Sequence, residues 1–146
     1  MHTTLFRRAL AVMALSPLLF TGVPAFAEML SYKADLKAST EVPPNDSKGT
    51  GAVDATYDTT SKKFSWTITY SGLTGPATAA HFHGPAAANS NAPPVVSLSG
   101  PLASPIKGDA TLTDAQAADL QAGHWYFNVH TAAHTTGELR GQIIEK

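Results

Sequence analysis

Phe64-Ser65-Trp66-Thr67-Ile68-Thr69-Tyr70 alternates one large apolar side chain with one small polar side chain over seven residues. A period of two is the signature of a strand with one buried and one wet face, and the aromatic and β-branched content fits a pleated surface. The same rhythm runs upstream, where Leu30, Tyr32, Ala34, Leu36 and Ala38 alternate with Ser31, Lys33, Asp35 and Lys37. Further strands are expected near residues 50–58, 77–83, 94–99, 106–112, 124–131 and 138–145, separated by Gly, Pro, Asn and Asp clusters that supply turns. Many short strands at this spacing predict an all-β, antiparallel, Greek-key-like sandwich or barrel.

One helix is expected to interrupt the strands, over about residues 113–122. Thr113 stands where an N-cap would, Gln116 follows three residues later as in a capping box, and Gly123 supplies the stop. Pro85 to Pro94 is rich in Ala, Asn and Pro and reads as a loop, directly after the strand that ends at His83.

At the N-terminus, Arg7 and Arg8 precede the apolar run Ala9 to Leu15, and Pro24-Ala25-Phe26-Ala27 offers small residues at 25 and 27. This is the pattern of a secretory signal cleaved after Ala27, which leaves a single domain over residues 28–146. Ser16-Pro17 and Thr21-Gly22 break the run before it reaches the length of a membrane span, so no membrane insertion is expected after cleavage. The expected destination is the periplasm or the medium.

The ten basic residues fall to eight without Arg7 and Arg8, against 11 acidic ones, a net charge of about −3. That balance excludes a nucleic-acid partner held by counterion release. The chain has no cysteine. Disulfides, thiol redox chemistry and blue-copper sites are therefore excluded, and any metal must be held by imidazole and oxygen.

Five histidines fall between Ala80 and Thr135. In an extended strand, His81 and His83 share a face with Cα atoms about 6.5 to 7 Å apart, so both rings can reach one metal ion. His130 is a third candidate from Trp125-Tyr126-Phe127-Asn128-Val129-His130-Thr131, where Tyr126, Asn128 and His124 share its face while Trp125, Phe127 and Val129 point to the core. Three imidazoles with one open position suit Cu(II) or Zn(II), and the intrinsic order of affinities favours copper. A hydrogen-bonded histidine network with no metal at all is the competing expectation. Glu138 and Arg140 lie two apart on one strand face, which fits an ion pair or bonds to a neighbouring strand.

Glu41-Val42-Pro43-Pro44, Ala80-His81-Phe82-His83-Gly84-Pro85, Gly123 with Tyr126 to Thr131, and Gly137-Glu138-Leu139-Arg140-Gly141-Gln142 together resemble the CHRD domain, the module first recognised as a repeat in chordin. The resemblance implies an extracytoplasmic all-β domain, in animals part of a secreted antagonist of bone morphogenetic proteins and in bacteria a small stand-alone exported protein. His81, His83, His130, Asn128, Glu138 and Arg140 occupy its motif positions. The HxH block is also similar to the copper-ligand strand of Cu/Zn superoxide dismutases, but the chain lacks their cysteines and their zinc loop.

Three functional readings follow. The first is an exported protein that binds copper or zinc through His81, His83 and His130, with Tyr126, Asn128, His124, Arg140 and Glu138 as further residues lining the site. The second is a non-catalytic structural or interaction module, in which the Pro85 to Pro94 loop meets an extracytoplasmic protein partner. The third, a copper-dependent redox enzyme, lacks any nucleophile or general-base constellation in the sequence.

Overall fold

The computed structural model describes residues 26–146. The expected signal segment thus lies almost wholly outside the described residues. Strands β1 (Met29–Lys37), β2 (Thr50–Asp58) and β3 (Lys63–Ser71) form an antiparallel meander, with Ala34 opposite Val53 and Val53 opposite Ile68. The chain then crosses to β4 (Ala77–His83) and β5 (Pro94–Ser97), returns to β6 (Ile106–Thr111) beside β3, and crosses again through helix α1 (Asp114–Gln121) to β7 (Tyr126–Thr131). β8 (Leu139–Gln142) joins β7 to β1, and the short β9 (Ile144–Glu145) pairs with β1 alone.

The resulting order is β5-β4-β7-β8-β1-β2-β3-β6, antiparallel throughout, an all-β sheet almost closed into a barrel. Its two edges, β5 and β6, are consecutive in the chain and flank one gap, lined by Val96 and Leu98 on one side and Ile106 and Gly108 on the other.

The period of two fills the barrel. Tyr32, Leu36, Phe64, Ile68, Phe82, Phe127, Val129 and Leu139 are buried inside, and Phe64 contacts the rings of Tyr32, Trp66, Phe82 and Trp125. Three of these four contacts are edge-to-face, the arrangement the ring quadrupoles favour. α1 starts as its sequence predicts: Gln116 N–H donates to Thr113 Oγ1 (3.2 Å) and Thr113 N–H donates to Gln116 Oε1 (2.9 Å). Gly123, at φ +73°, ends it in the left-handed conformation that glycine adopts without strain. Among the described residues no helix is long and apolar enough to cross a membrane.

The strands expected near 94–99 and 106–112 end early, at Ser97 and Thr111, and two further boundaries differ. The strand expected over 124–131 begins only at Tyr126, because His124 N–H still bonds to Asp119 O (2.9 Å) and belongs to the end of α1. The strand expected over 138–145 is broken at Ile143, whose N–H bonds to Trp125 O while Ile144 moves on to β1.

Candidate metal centre

The outer face of β4 and β7 carries the histidines. Because Phe82, Phe127 and Val129 face the core, the residues between them must face outward, and the register sets His81 opposite Asn128, His83 opposite Tyr126 and Ala79 opposite His130. His81, His83 and His130 each offer one ring nitrogen within 4.8 Å of the others, as three metal ligands require. The closest of these approaches is His81 Nδ1 to His130 Nε2, 3.2 Å.

The hydrogen bonds around the rings fix their tautomers. His83 Nδ1 lies 2.8 Å from Ala92 O and His130 Nδ1 lies 3.0 Å from Thr135 O. A carbonyl only accepts, so both Nδ1 atoms carry the proton, and a neutral ring then has a bare lone pair on Nε2. Burial pushes the pKa of His83 down, helped by the positive charge of His130 and Arg140 and opposed by the Ala92 and Asn128 contacts. Burial also lowers His130, against its bond to Thr135, and lowers His81, with the neighbouring His130 and His83 adding to the effect. All three are therefore neutral, ligand-competent rings at pH 7.

Both Nε2 lone pairs converge on a third acceptor. Asn128 Oδ1 is 2.9 Å from His83 Nε2 and 3.0 Å from His130 Nε2. A histidine whose far nitrogen is fixed on a backbone carbonyl, with its near nitrogen aimed at a shared point, is the arrangement of a metal ligand with its supporting shell.

That shell extends through a stack. The Tyr126 ring lies parallel to His83 at 4.6 Å, and the Arg140 guanidinium sits 3.5 Å above the Tyr126 centroid. Arg140 donates to Ser90 O (2.6 Å) and Asn91 Oδ1 (2.8 Å), while Tyr126 Oη bonds both the N–H and the O of Ala92 at 3.2 Å. The Pro85 to Pro94 loop is thus tied to the site by three side chains, and Asn91 Nδ2 links it onward to Val42 O (2.9 Å). A cavity of about 290 Å³ is lined by Glu41, Val42, Asn89, Arg140 and Gln142, and by none of the histidines.

Two residues named with the site in the sequence stand apart from it. His124 is exposed at the end of α1 and does not join the cluster. Glu138 is fully buried, but its carboxylate accepts from Ser47 Oγ (2.6 Å), Thr131 Oγ1 (2.6 Å), Thr74 Oγ1 (2.7 Å) and Thr74 N–H (2.8 Å) rather than from Arg140. Burial pushes its pKa up, and the bonds from Ser47, Thr131 and Thr74 outweigh that and hold it at about 2.

Glu41, which the sequence offers only as part of the Glu41 to Pro44 motif, is the residue that reading the histidines missed. It is 4% exposed, and its Oε1 has no hydrogen-bond partner among the described residues. Burial pushes its carboxyl up to about 7, against the lowering effect of Arg140, the Val42 N–H and the Asn128 amide. Gly137 makes room for this contact: at φ +130° it lies where a Cβ would collide with Glu41 Oε1 and stand 2.8 Å from Asn128 Nδ2.

The four motif blocks therefore come together around one face of β4, β7 and β8. The CHRD domain profile matches residues 32–143, which spans every strand of this sheet except the first three residues of β1 and the whole of β9. The chain belongs to the CHRD family. No curated protein and no solved structure matches this CHRD domain.

Proposed function

We propose that this CHRD domain is an exported metal-binding module that holds Cu(II) or Zn(II) through His81, His83 and His130. The observation that carries the reading is the pair of Nε2 lone pairs aimed at one point, with each Nδ1–H already engaged by a backbone carbonyl. Without a cation, these lone pairs face the Asn128 oxygen at hydrogen-bond distance with no hydrogen between them. The donor set is nitrogen and oxygen only, and for such donors copper has the higher intrinsic affinity. Export is read from Arg7, Arg8, the apolar run after them and the small residues Ala25 and Ala27.

The competing reading, a structural or protein-interaction module, draws on the same contacts, since His83 ties the Pro85 to Pro94 loop to β4 through Ala92. Metal content and Cu(II) and Zn(II) titration of the purified protein separate the two. The comparison is a His81→Ala, His83→Ala, His130→Ala variant whose fold is checked by circular dichroism. Metal binding predicts stoichiometric uptake by the parent and an affinity loss of at least about a thousandfold in the folded variant, as expected when all imidazole ligands go. Affinity should hold through neutral pH and fall only below the ordinary histidine value of 6.5, because burial lowers all three rings. Equal binding by parent and variant would end the metal reading, as would a parent that takes up neither ion.

A further inference from the structure

We infer that the centre is a four-ligand site of three nitrogens and one oxygen, in which Asn128 Oδ1 is the fourth ligand and Glu41 holds the Asn128 amide in the orientation that presents this oxygen. The inference rests on the metal-binding reading and adds a neutral amide oxygen to its three imidazoles.

The first argument is the direction of the lone pairs. His83 and His130 have spent their only ring protons on Ala92 O and Thr135 O, so neither can donate to Asn128 Oδ1 at 2.9 and 3.0 Å. His81 can give its Nδ1 proton to His130 Nε2 at 3.2 Å, which still leaves His83 Nε2 and Asn128 Oδ1 facing each other bare. A metal cation can bind all of these atoms together, whereas a proton on His83 Nε2 would join only that nitrogen to Asn128 Oδ1.

The second argument is the spacing. With metal–ligand bonds of about 2.0 to 2.1 Å, two ligands at a right angle stand about 2.9 Å apart and two at the tetrahedral angle about 3.3 Å apart. The separations of 2.9, 3.0 and 3.2 Å fall in that range, and both that involve Asn128 lie at its right-angled end. Right-angled nitrogen and oxygen ligands are the tetragonal preference of Cu(II), whereas Zn(II) favours the tetrahedron.

The third argument concerns which way the amide faces. Turned over, Asn128 would offer Nδ2–H to the two histidines and relieve the clash of acceptors. Nδ2 instead occupies the space over Gly137 beside Glu41 Oε1, a buried acceptor that no described residue hydrogen-bonds. A turned amide would set Oδ1 against the ionised carboxylate, two acceptors together, so ionised Glu41 is a positioning residue for the oxygen ligand.

The test is Cu(II) titration and electron paramagnetic resonance of the purified chain and its Asn128→Ala, Asn128→Asp and Glu41→Gln variants, with the triple histidine variant as reference. Loss of a ligand in Asn128→Ala should weaken Cu(II) binding by at least the roughly 10- to 100-fold that losing an outer-shell partner costs, and shift g∥ and the copper hyperfine splitting. Asn128→Asp replaces a neutral oxygen by an anionic one of the same shape, so it should keep or raise the affinity while lowering g∥. Glu41→Gln should weaken Cu(II) binding severalfold, since a glutamine no longer dictates the amide's orientation. Should Asn128→Ala fail to fold, Asn128→Asp decides alone: an anionic ligand must move g∥, and a parental spectrum overturns the inference. Parental affinity and spectrum in a folded Asn128→Ala would overturn it too, while the metal reading survives if the triple histidine variant loses copper. A parent that takes up no copper removes both.

Discussion

The Glu138 cluster and the histidine centre are two polar clusters that share strand β7, the first joining Thr131 to the residue just before β8 and the second spanning β4 and β7, and they are balanced in opposite ways. Around Glu138, one carboxylate meets four donors from Ser47, Thr74 and Thr131, and its pKa is held at about 2. Around Asn128, acceptors outnumber donors: two imidazole lone pairs and an amide oxygen converge, and the Glu41 carboxyl behind them has one oxygen without a partner and is pushed up to about 7. Burying an unmatched acceptor costs about 1–3 kcal/mol, so a fold that matches every acceptor at one cluster and leaves several unmatched at the next has a use for the second. The first cluster is a clamp between strands and loops, and the second is the one we propose holds a cation.

The largest effect should come from breaking the balanced cluster. Glu138→Ala leaves three hydroxyls and the Thr74 N–H without their acceptor, which should cost about 3 kcal/mol of stability, read from urea unfolding. The sign of the pH dependence follows from the lowered pKa. The stabilisation is fully present above the ordinary glutamate value of 4.5 and is lost as pH falls from there towards about 2, so parent and Glu138→Gln should converge in acid. Copper affinity should not change, provided the variant is folded. A Glu138→Ala protein that kept its stability but lost copper would mean that the two clusters are one.

Much of this contrast is hidden in the sequence, for reasons that differ between its parts. The barrel is legible because burial imposes a period of two, as Phe64, Trp66 and Ile68 display, and α1 because Thr113 and Gln116 form a local capping box. His81, His83 and His130 are legible because the same alternation that buries Phe82 and Val129 turns them outward. The partners of Glu138 are not, since Ser47 and Thr74 lie 91 and 64 residues away. Nor are the carbonyls of Ala92 and Thr135 that set the tautomers, because a backbone oxygen has no signature in a sequence. Glu41 stands in a Pro-containing turn whose burial depends on Arg140 of β8 and on Gly137 in the turn before it. His124 is misleading because Gly123 ends α1 one residue before it, and its peptide N–H completes that helix end rather than starting β7.

A smaller effect of opposite sign should follow from Glu41→Gln. A carboxyl raised from 4.5 to about 7 is disfavoured in the fold once it ionises, so the parent loses stability relative to the variant as pH rises through that window. The net shift, which already includes the lowering by Arg140, the Val42 N–H and Asn128, corresponds to about 3 kcal/mol at pH 8, and the desolvation cost of the buried glutamine amide reduces the variant's gain to about 1–2 kcal/mol, a gain that vanishes below pH 4.5. Its copper affinity should nonetheless be lower than the parent's. Stability gained and metal lost in one substitution would sharpen the distinction from Glu138, where stability is lost and metal is kept. A variant less stable than the parent at pH 8 would show that Glu41 is a clamp of the same kind as Glu138.

The smallest effect should be that of Tyr126→Phe, and it probes how far the support of the histidines extends. The ring remains, so its parallel contact with His83 and the Arg140 guanidinium above it are kept. What goes is the hydroxyl that holds both the N–H and the carbonyl of Ala92 at 3.2 Å, and with it part of what aims that carbonyl at His83 Nδ1. One such bond has a net worth of about 0.5–1.5 kcal/mol, shared here between loop order and ring orientation, so copper affinity should fall only about two- to fivefold. Isothermal titration of the variant resolves such a change. An unaltered affinity would place the orientation of Ala92 with Arg140, Ser90 and Asn91 instead. In that case the loop, and not the tyrosine, fixes the His83 tautomer, and Arg140→Lys, which keeps the charge but loses the fork that spans Ser90 O and Asn91 Oδ1, should be the substitution that weakens the site.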